Sequence, residues 1–200
     1  MSGSATAVGY FVWQSWIAIG NGLNTHRRYT FGRMEGHLNV FVYGSLKRGF
    51  SNWEQFCAGY EAVRPAEVRG RLFQFPTAGF PIAQIPDEDV LLEGTRNPWH
   101  DLERQLELQQ KLESGELSFE MCSPECCSIT GDLYEFKDAE TRLPELDWLE
   151  GYRAGKRSYY KRVLAPAFSE KGVELAWLYV KGREAEGLLH IPEGEWNEPR

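Results

Sequence analysis

Short runs dense in β-branched and aromatic residues recur along this chain, and that recurrence limits its fold more than any other feature. LNVFVY (38–43), VRGRLFQF (68–75), FPIAQI (80–85), TGDLYEF (130–136), SYYKRVLA (158–165) and VELAWLYV (173–180) each read as a strand. Only NPWHDLERQLELQQKLESG (97–115) reads as a substantial helix. Asn97 is placed to cap it, Pro98 suits its first position, Asp101 and Glu103 suit its positive end, and Gly115 ends it. A shorter helix is expected over LPELDWLEG, with Pro144 at its start and Gly151 just past its end. Another is expected to begin at Ser51 and run through Trp53 and Phe56. Strands outnumber helices and most connections are short. The expected class is α+β, with a curved, mostly antiparallel sheet or a small barrel.

The 200 residues are 42% hydrophobic and 26% charged, which fits one globular domain, and the net charge of −7 argues against a nucleic-acid partner. Three of the four cysteines, Cys122, Cys126 and Cys127, crowd together, with Cys57 apart. Their C-x3-C-C spacing lacks the paired ligands of a zinc site, so reduced thiols and no metal are expected. ATAVGYFVWQSWIAIG (5–20) is apolar but short for a membrane span, contains Gln14, and has no basic region ahead of it, although Arg27 and Arg28 follow. A cytoplasmic protein without membrane attachment is the expectation. Residues 1–36 are expected to be an N-terminal extension of a domain spanning 37–200, with Met34 close to the domain start.

Two stretches carry candidate chemistry. In VFVYGSLKRG (40–49) an apolar strand enters a loop with glycine at both ends. Its spacing is not that of a nucleotide phosphate loop. Consecutive backbone N–H groups there can form an anion nest, and a plain turn with a solvated Lys47–Arg48 pair is the alternative. In ELDWLEGY (145–152), Glu150 falls at a helix C-terminus before Gly151. The negative end of the helix dipole, with desolvation by Trp148, Leu149 and Tyr152, would raise its pKa toward the range of a proton shuttle. A surface glutamate is the alternative.

Taken together, VFVYGSLKRG, GDLYEF, LDWLEGY and the YKR that follows resemble the γ-glutamylcyclotransferase-like family, in the branch of γ-glutamylamine cyclotransferases and avirulence-induced-gene-like proteins. Lys47-Arg48-Gly49 with Asn52 points to that branch. The resemblance runs from about residue 38 to the C-terminus. It implies a small mixed β-barrel with flanking helices, and a pocket for a γ-glutamyl group lined by Tyr43, Gly44, Ser45, Leu46 and Tyr160. The catalytic glutamate would be Glu150. The implied reaction cyclises a γ-glutamyl amine or amino acid to 5-oxoproline and a free amine, with no cofactor and a small molecule as the only partner. A non-catalytic module that binds γ-glutamyl ligands is the alternative. The stretch at about 97–128 looks like a helical insertion, for which a lid, an interaction surface and an inert decoration are all open.

Overall fold

Each of the five residues of the first strand, β1 (Leu38–Val42), is buried. Side chains alternate across a strand, so β1 serves two cores at once. Leu38, Val40 and Val42 pack with Leu143, Leu146 and Trp177, while Phe41 packs with Leu133, Val163 and Leu178. The computed structural model describes residues 36–76, 79–121, 127–183 and 186–197. All of these lie in one unit, Glu35–Arg200. The expected extension, except Gly36, lies outside the described residues, as do Cys122 and Cys126. Among the described residues no helix is long and apolar enough to cross a membrane.

After β1 come α1 (Trp53–Phe56), β2 (Ala62–Arg69), β3 (Arg71–Gln74), β4 (Pro81–Gln84), β5 (Leu92–Glu93), α2 (Pro98–Glu113), β6 (Ser128–Phe136), α3 (Ala139–Leu149), β7 (Tyr160–Ser169), β8 (Gly172–Lys181) and β9 (Leu189–Ile191). Strands β2, β6, β1, β8 and β7 are neighbours in that order, and β2 pairs again with β7 to close a five-stranded barrel. The β1–β8 pair is parallel and the others are antiparallel. β5 extends the sheet beyond β7, and β4, β3 and β9 form a separate three-stranded sheet. The expected mixed, mostly antiparallel barrel with flanking helices is the fold found.

Several local expectations change. VRGRLFQF is two strands in two sheets, broken at Gly70. The strand before the break begins at Ala62, a start hidden in the sequence by Pro65 and by charged residues. Arg64 is buried there because Glu135 (2.6 Å) and Glu174 pair with it across the sheet. α3 begins at Ala139, not near Pro144, which lies inside it. Buried Leu143 and Leu146 hold that helix to the barrel despite the proline. The residue before α1 is Asn52 rather than Ser51.

α2 is fastened to the barrel by polar side chains. Gln105 Oε1 accepts from the Asn39 N–H at 3.1 Å, and its Nε2 donates to the His37 carbonyl at 2.9 Å. Gln109 Oε1 accepts from the Leu175 N–H at 2.9 Å. The N-terminal cap forms as expected, with Asn97 Oδ1 accepting from the His100 N–H at 3.3 Å.

Candidate active site

Tyr43 directly follows the first strand and is buried in the core. Its hydroxyl donates to the Tyr179 carbonyl at 2.6 Å and accepts from the Ala83 N–H at 3.2 Å. The chain then makes two tight turns, with Lys47 N–H bonded to Gly44 O and Phe50 N–H to Lys47 O, both at 3.0 Å. The loop is closed by the Asn52 N–H on the Ser45 carbonyl, also at 3.0 Å. Asn52 Nδ2 donates to Ser45 Oγ at 2.8 Å. The N–H groups of Ser45 and Leu46 take no part in these turn bonds. Gly44 has no positive φ. It is bare because a Cβ there would lie 2.9 Å from Pro81 Cγ.

The two cations of this loop do not serve the pocket. Lys47 is buried, with its ammonium 3.7 Å from Glu195 and 4.8 Å from the Phe50 ring centroid. Arg48 pairs with Asp132, whose Oδ2 accepts from the Arg48 N–H at 2.9 Å. Both charges are answered elsewhere, and among the described residues no lysine or arginine lines the cavity.

Glu150 is the C-cap of α3. Gly151 follows at φ 61°, a conformation that costs glycine nothing. Its N–H bonds to Trp148 O at 3.2 Å, and the Tyr152 N–H bonds to Asp147 O at 2.8 Å. Such reciprocal bonding ends a helix sharply and fixes the direction of the capping side chain. The residue is half-buried, and loss of water raises its carboxyl to about 7, with no opposing charge or hydrogen bond to lower it. The negative helix end acts in the same sense. Leu149 lines the same cavity, but Trp148 does not: it is 75% exposed and lies against Phe56. Tyr152 is turned away too, its hydroxyl donating to the Gly94 carbonyl at 2.6 Å. Of the three expected desolvating neighbours, only Leu149 stands at the site.

Tyr160 completes the opposite wall, its hydroxyl donating to the Pro81 carbonyl. Tyr43, Gly44, Ser45, Leu46, Glu150 and Tyr160 all line one cavity of about 350 Å³. Asn52, Phe80, Pro81 and Tyr179 line it as well. Tyr179 carries no local sequence signal, and only its cross-strand position opposite Arg162 distinguishes it. Burial is the first cause that raises the Tyr43, Tyr160 and Tyr179 phenols, and a charge on Glu150 raises them further. These groups stay protonated, which leaves Glu150 as the lining group able to exchange a proton near neutrality. Among the described residues no cluster of three or more potential metal ligands occurs.

Among the described residues, Glu150 is the one carboxyl lining a pocket at the mouth of a small closed barrel, beside the Tyr43–Leu46 loop. The chain matches the family model described as gamma-glutamyl cyclotransferase, AIG2-like, over residues 40–116 and 108–198, and it belongs to that family. No match is found among curated proteins. Similar solved structures include YkqA from Bacillus subtilis, 19% identical over 80% of this chain and 39% of that one, with a TM-score of 0.47. This chain therefore spans about two fifths of the length of YkqA. An AIG2-like protein from Mus musculus is 17% identical over 82% of this chain and 97% of its own, with a TM-score of 0.46. A gamma-glutamyl cyclotransferase specific to glutathione from yeast is 15% identical over 80% and 82%, with a TM-score of 0.43.

Proposed function

We propose that this protein is an enzyme that releases 5-oxoproline and a free amine from a γ-glutamyl amine or γ-glutamyl amino acid, in the cytoplasm, with Glu150 moving the proton. The observation that carries this reading is a carboxyl raised to about 7, without a partner, in the cavity closed by the Tyr43–Leu46 loop. The substrate's α-ammonium gives a proton to Glu150. The freed nitrogen attacks the γ-carbonyl carbon to close a five-membered ring, and the bond from that carbon to the leaving nitrogen breaks as Glu150 delivers its proton there. The extra proton left on the ring nitrogen passes to the regenerated carboxylate and on to the free amine, which departs as its ammonium. Nucleophile and electrophile share one molecule, so holding it folded supplies up to about 7–11 kcal/mol of the barrier. Proton transfer by a positioned group contributes about 10²–10⁴-fold.

Among the described residues no cation lines the cavity to meet the substrate's α-carboxylate. The N–H groups of Ser45 and Leu46 and the Ser45 hydroxyl are the donors assigned to it and to the developing oxyanion. Leu149 and the rings of Tyr43 and Tyr160 exclude water.

The test is a panel of γ-glutamyl amines and amino acids, assayed for 5-oxoproline with wild type and Glu150→Gln. Release should fall about 10²-fold or more in the variant, while the variant stays folded. A folded Glu150→Gln protein with near-normal turnover refutes the mechanism. Binding of γ-glutamyl compounds by a wild type that turns none of them over favours a non-catalytic binding module.

A further inference from the structure

Behind the pocket lies a charged cluster that the reaction itself does not use. Asp147 sits one turn before Glu150 on α3. Its Oδ1 accepts from Arg162 Nε at 2.9 Å and from the Tyr179 hydroxyl at 2.8 Å, and its Oδ2 accepts from Arg162 Nη2 at 3.3 Å. Arg162 is 1% exposed. Its Nη2 also donates to Asp101 Oδ2 at 2.9 Å and to the Thr95 carbonyl at 3.0 Å. The guanidinium lies 4.9 Å from the Trp177 ring and 5.7 Å from the Tyr152 ring. Gly94 is bare beside it, since a Cβ there would approach Arg162 Cζ to 2.8 Å.

Four elements thus converge: α2 through Asp101, α3 through Asp147, β7 through Arg162 and β8 through Tyr179. Of these residues only Tyr179 lines the pocket. Buried ion pairs are a weak source of stability, because desolvation offsets most of their attraction and apolar residues often serve as well. What such a cluster does supply is fixed geometry. Here the fixed object is the final turn of α3, with the Asp147 side chain tied to two strands and its carbonyl tied to Tyr152. Glu150, three residues further along that turn, lines the same cavity as Tyr43 of the entrance loop, Tyr160 of β7 and Tyr179 of β8.

We propose that Asp101, Arg162, Asp147 and Tyr179 form a positioning device for Glu150, holding the last turn of α3 on β7 and β8 so that its carboxyl stays aimed into the pocket and away from bulk water. The role of α2 in this protein then includes the active site, reached through Asp101. The kinetic part of this inference rests on the cyclotransferase reading, but the geometric part does not.

The experiment is a carbon-13 carboxyl titration of glutamate-labelled full-length protein, with the Glu150 resonance identified by its loss in Glu150→Gln. Two variants keep the formal charge of the cluster: Tyr179→Phe removes one hydroxyl, and Arg162→Lys replaces the forked donor. Loosening the turn admits water, so the Glu150 midpoint should fall by about one unit or more, a tenfold change in proton affinity. On a substrate that wild type turns over, kcat should fall about 10–100-fold, with KM little changed, as misplacement of a reacting group does. If Arg162→Lys does not fold, Tyr179→Phe alone decides the matter. An unshifted Glu150 midpoint in folded Tyr179→Phe protein overturns the proposal, whatever happens to the melting temperature. If wild type releases 5-oxoproline from no member of the panel, the cyclotransferase reading fails and the titration still judges the positioning role.

Discussion

The Glu150 proton links catalysis and folding in opposite directions. On the proposed mechanism Glu150 must be ionised to act as the base, so turnover should decline as pH drops below about 7. For stability the sign reverses. The folded protein holds this proton more tightly than the unfolded chain, because burial raises the carboxyl from 4.5 to about 7. The associated stabilisation is fully present below the unfolded value and is lost as pH rises through the folded one. At 1.36 kcal/mol per unit the ceiling is about 3 kcal/mol, and partial solvent access reduces it to roughly 1–3 kcal/mol. Glu150→Gln should therefore melt above wild type at pH 8, by roughly 2–10 °C, with the gap closing toward pH 4. Paired thermal melts across that range check it, and a gap that is constant or widens on acidification contradicts it. Glu150 itself was readable from its place before Gly151. The dryness around it was legible only in Leu149, because the other walls come from Tyr43, Tyr160 and Tyr179 on other elements and not from Trp148 beside it.

Among elements, the entrance loop and α2 show how far sequence pattern reaches. The loop's turns and its glycine were legible, but the reason for Gly44 was not: it lies in Pro81, across the cavity on β4. Valine at 44 would push on Pro81, whose carbonyl receives the Tyr160 hydroxyl, so the disturbance crosses to the far wall. Gly44→Val should lose most activity in a steady-state assay. Lys47→Ala, which gives up contacts with Glu195 and Phe50 away from the cavity, should lose little. Equal effects would remove the loop from the site. α2 was legible as a helix from Asn97 and Pro98, yet its attachment was hidden, because glutamines on a charged helix read as solvent-facing. Gln105→Leu should cost about 1–3 kcal/mol in chemical denaturation, the usual cost of leaving a buried N–H, here that of Asn39, without its acceptor. A negligible change would mean that water replaces it.

For the molecule as a whole, barrel and flanking helices were foreseen, while the second sheet was not. β9 is three residues long, and β3 is separated from β2 only by Gly70, so no run of residues announced a separate sheet. The described residues form their barrel and pocket entirely downstream of Met34. A shortened chain beginning at Met34 should keep the circular dichroism spectrum and melting temperature of the full chain, and loss of a cooperative melt would show that the preceding residues belong to the fold. One feature of the barrel also bears on how the protein is made. β1 at residues 38–42 lies between β6 at 128–136 and β8 at 172–181. On the ribosome the first barrel strand to emerge, buried on both faces once folded, waits for β6 about ninety residues later and for β8 about forty residues after that. Closure of the barrel then depends on these distant strands, and β1 is a segment a nascent-chain chaperone would have reason to shield.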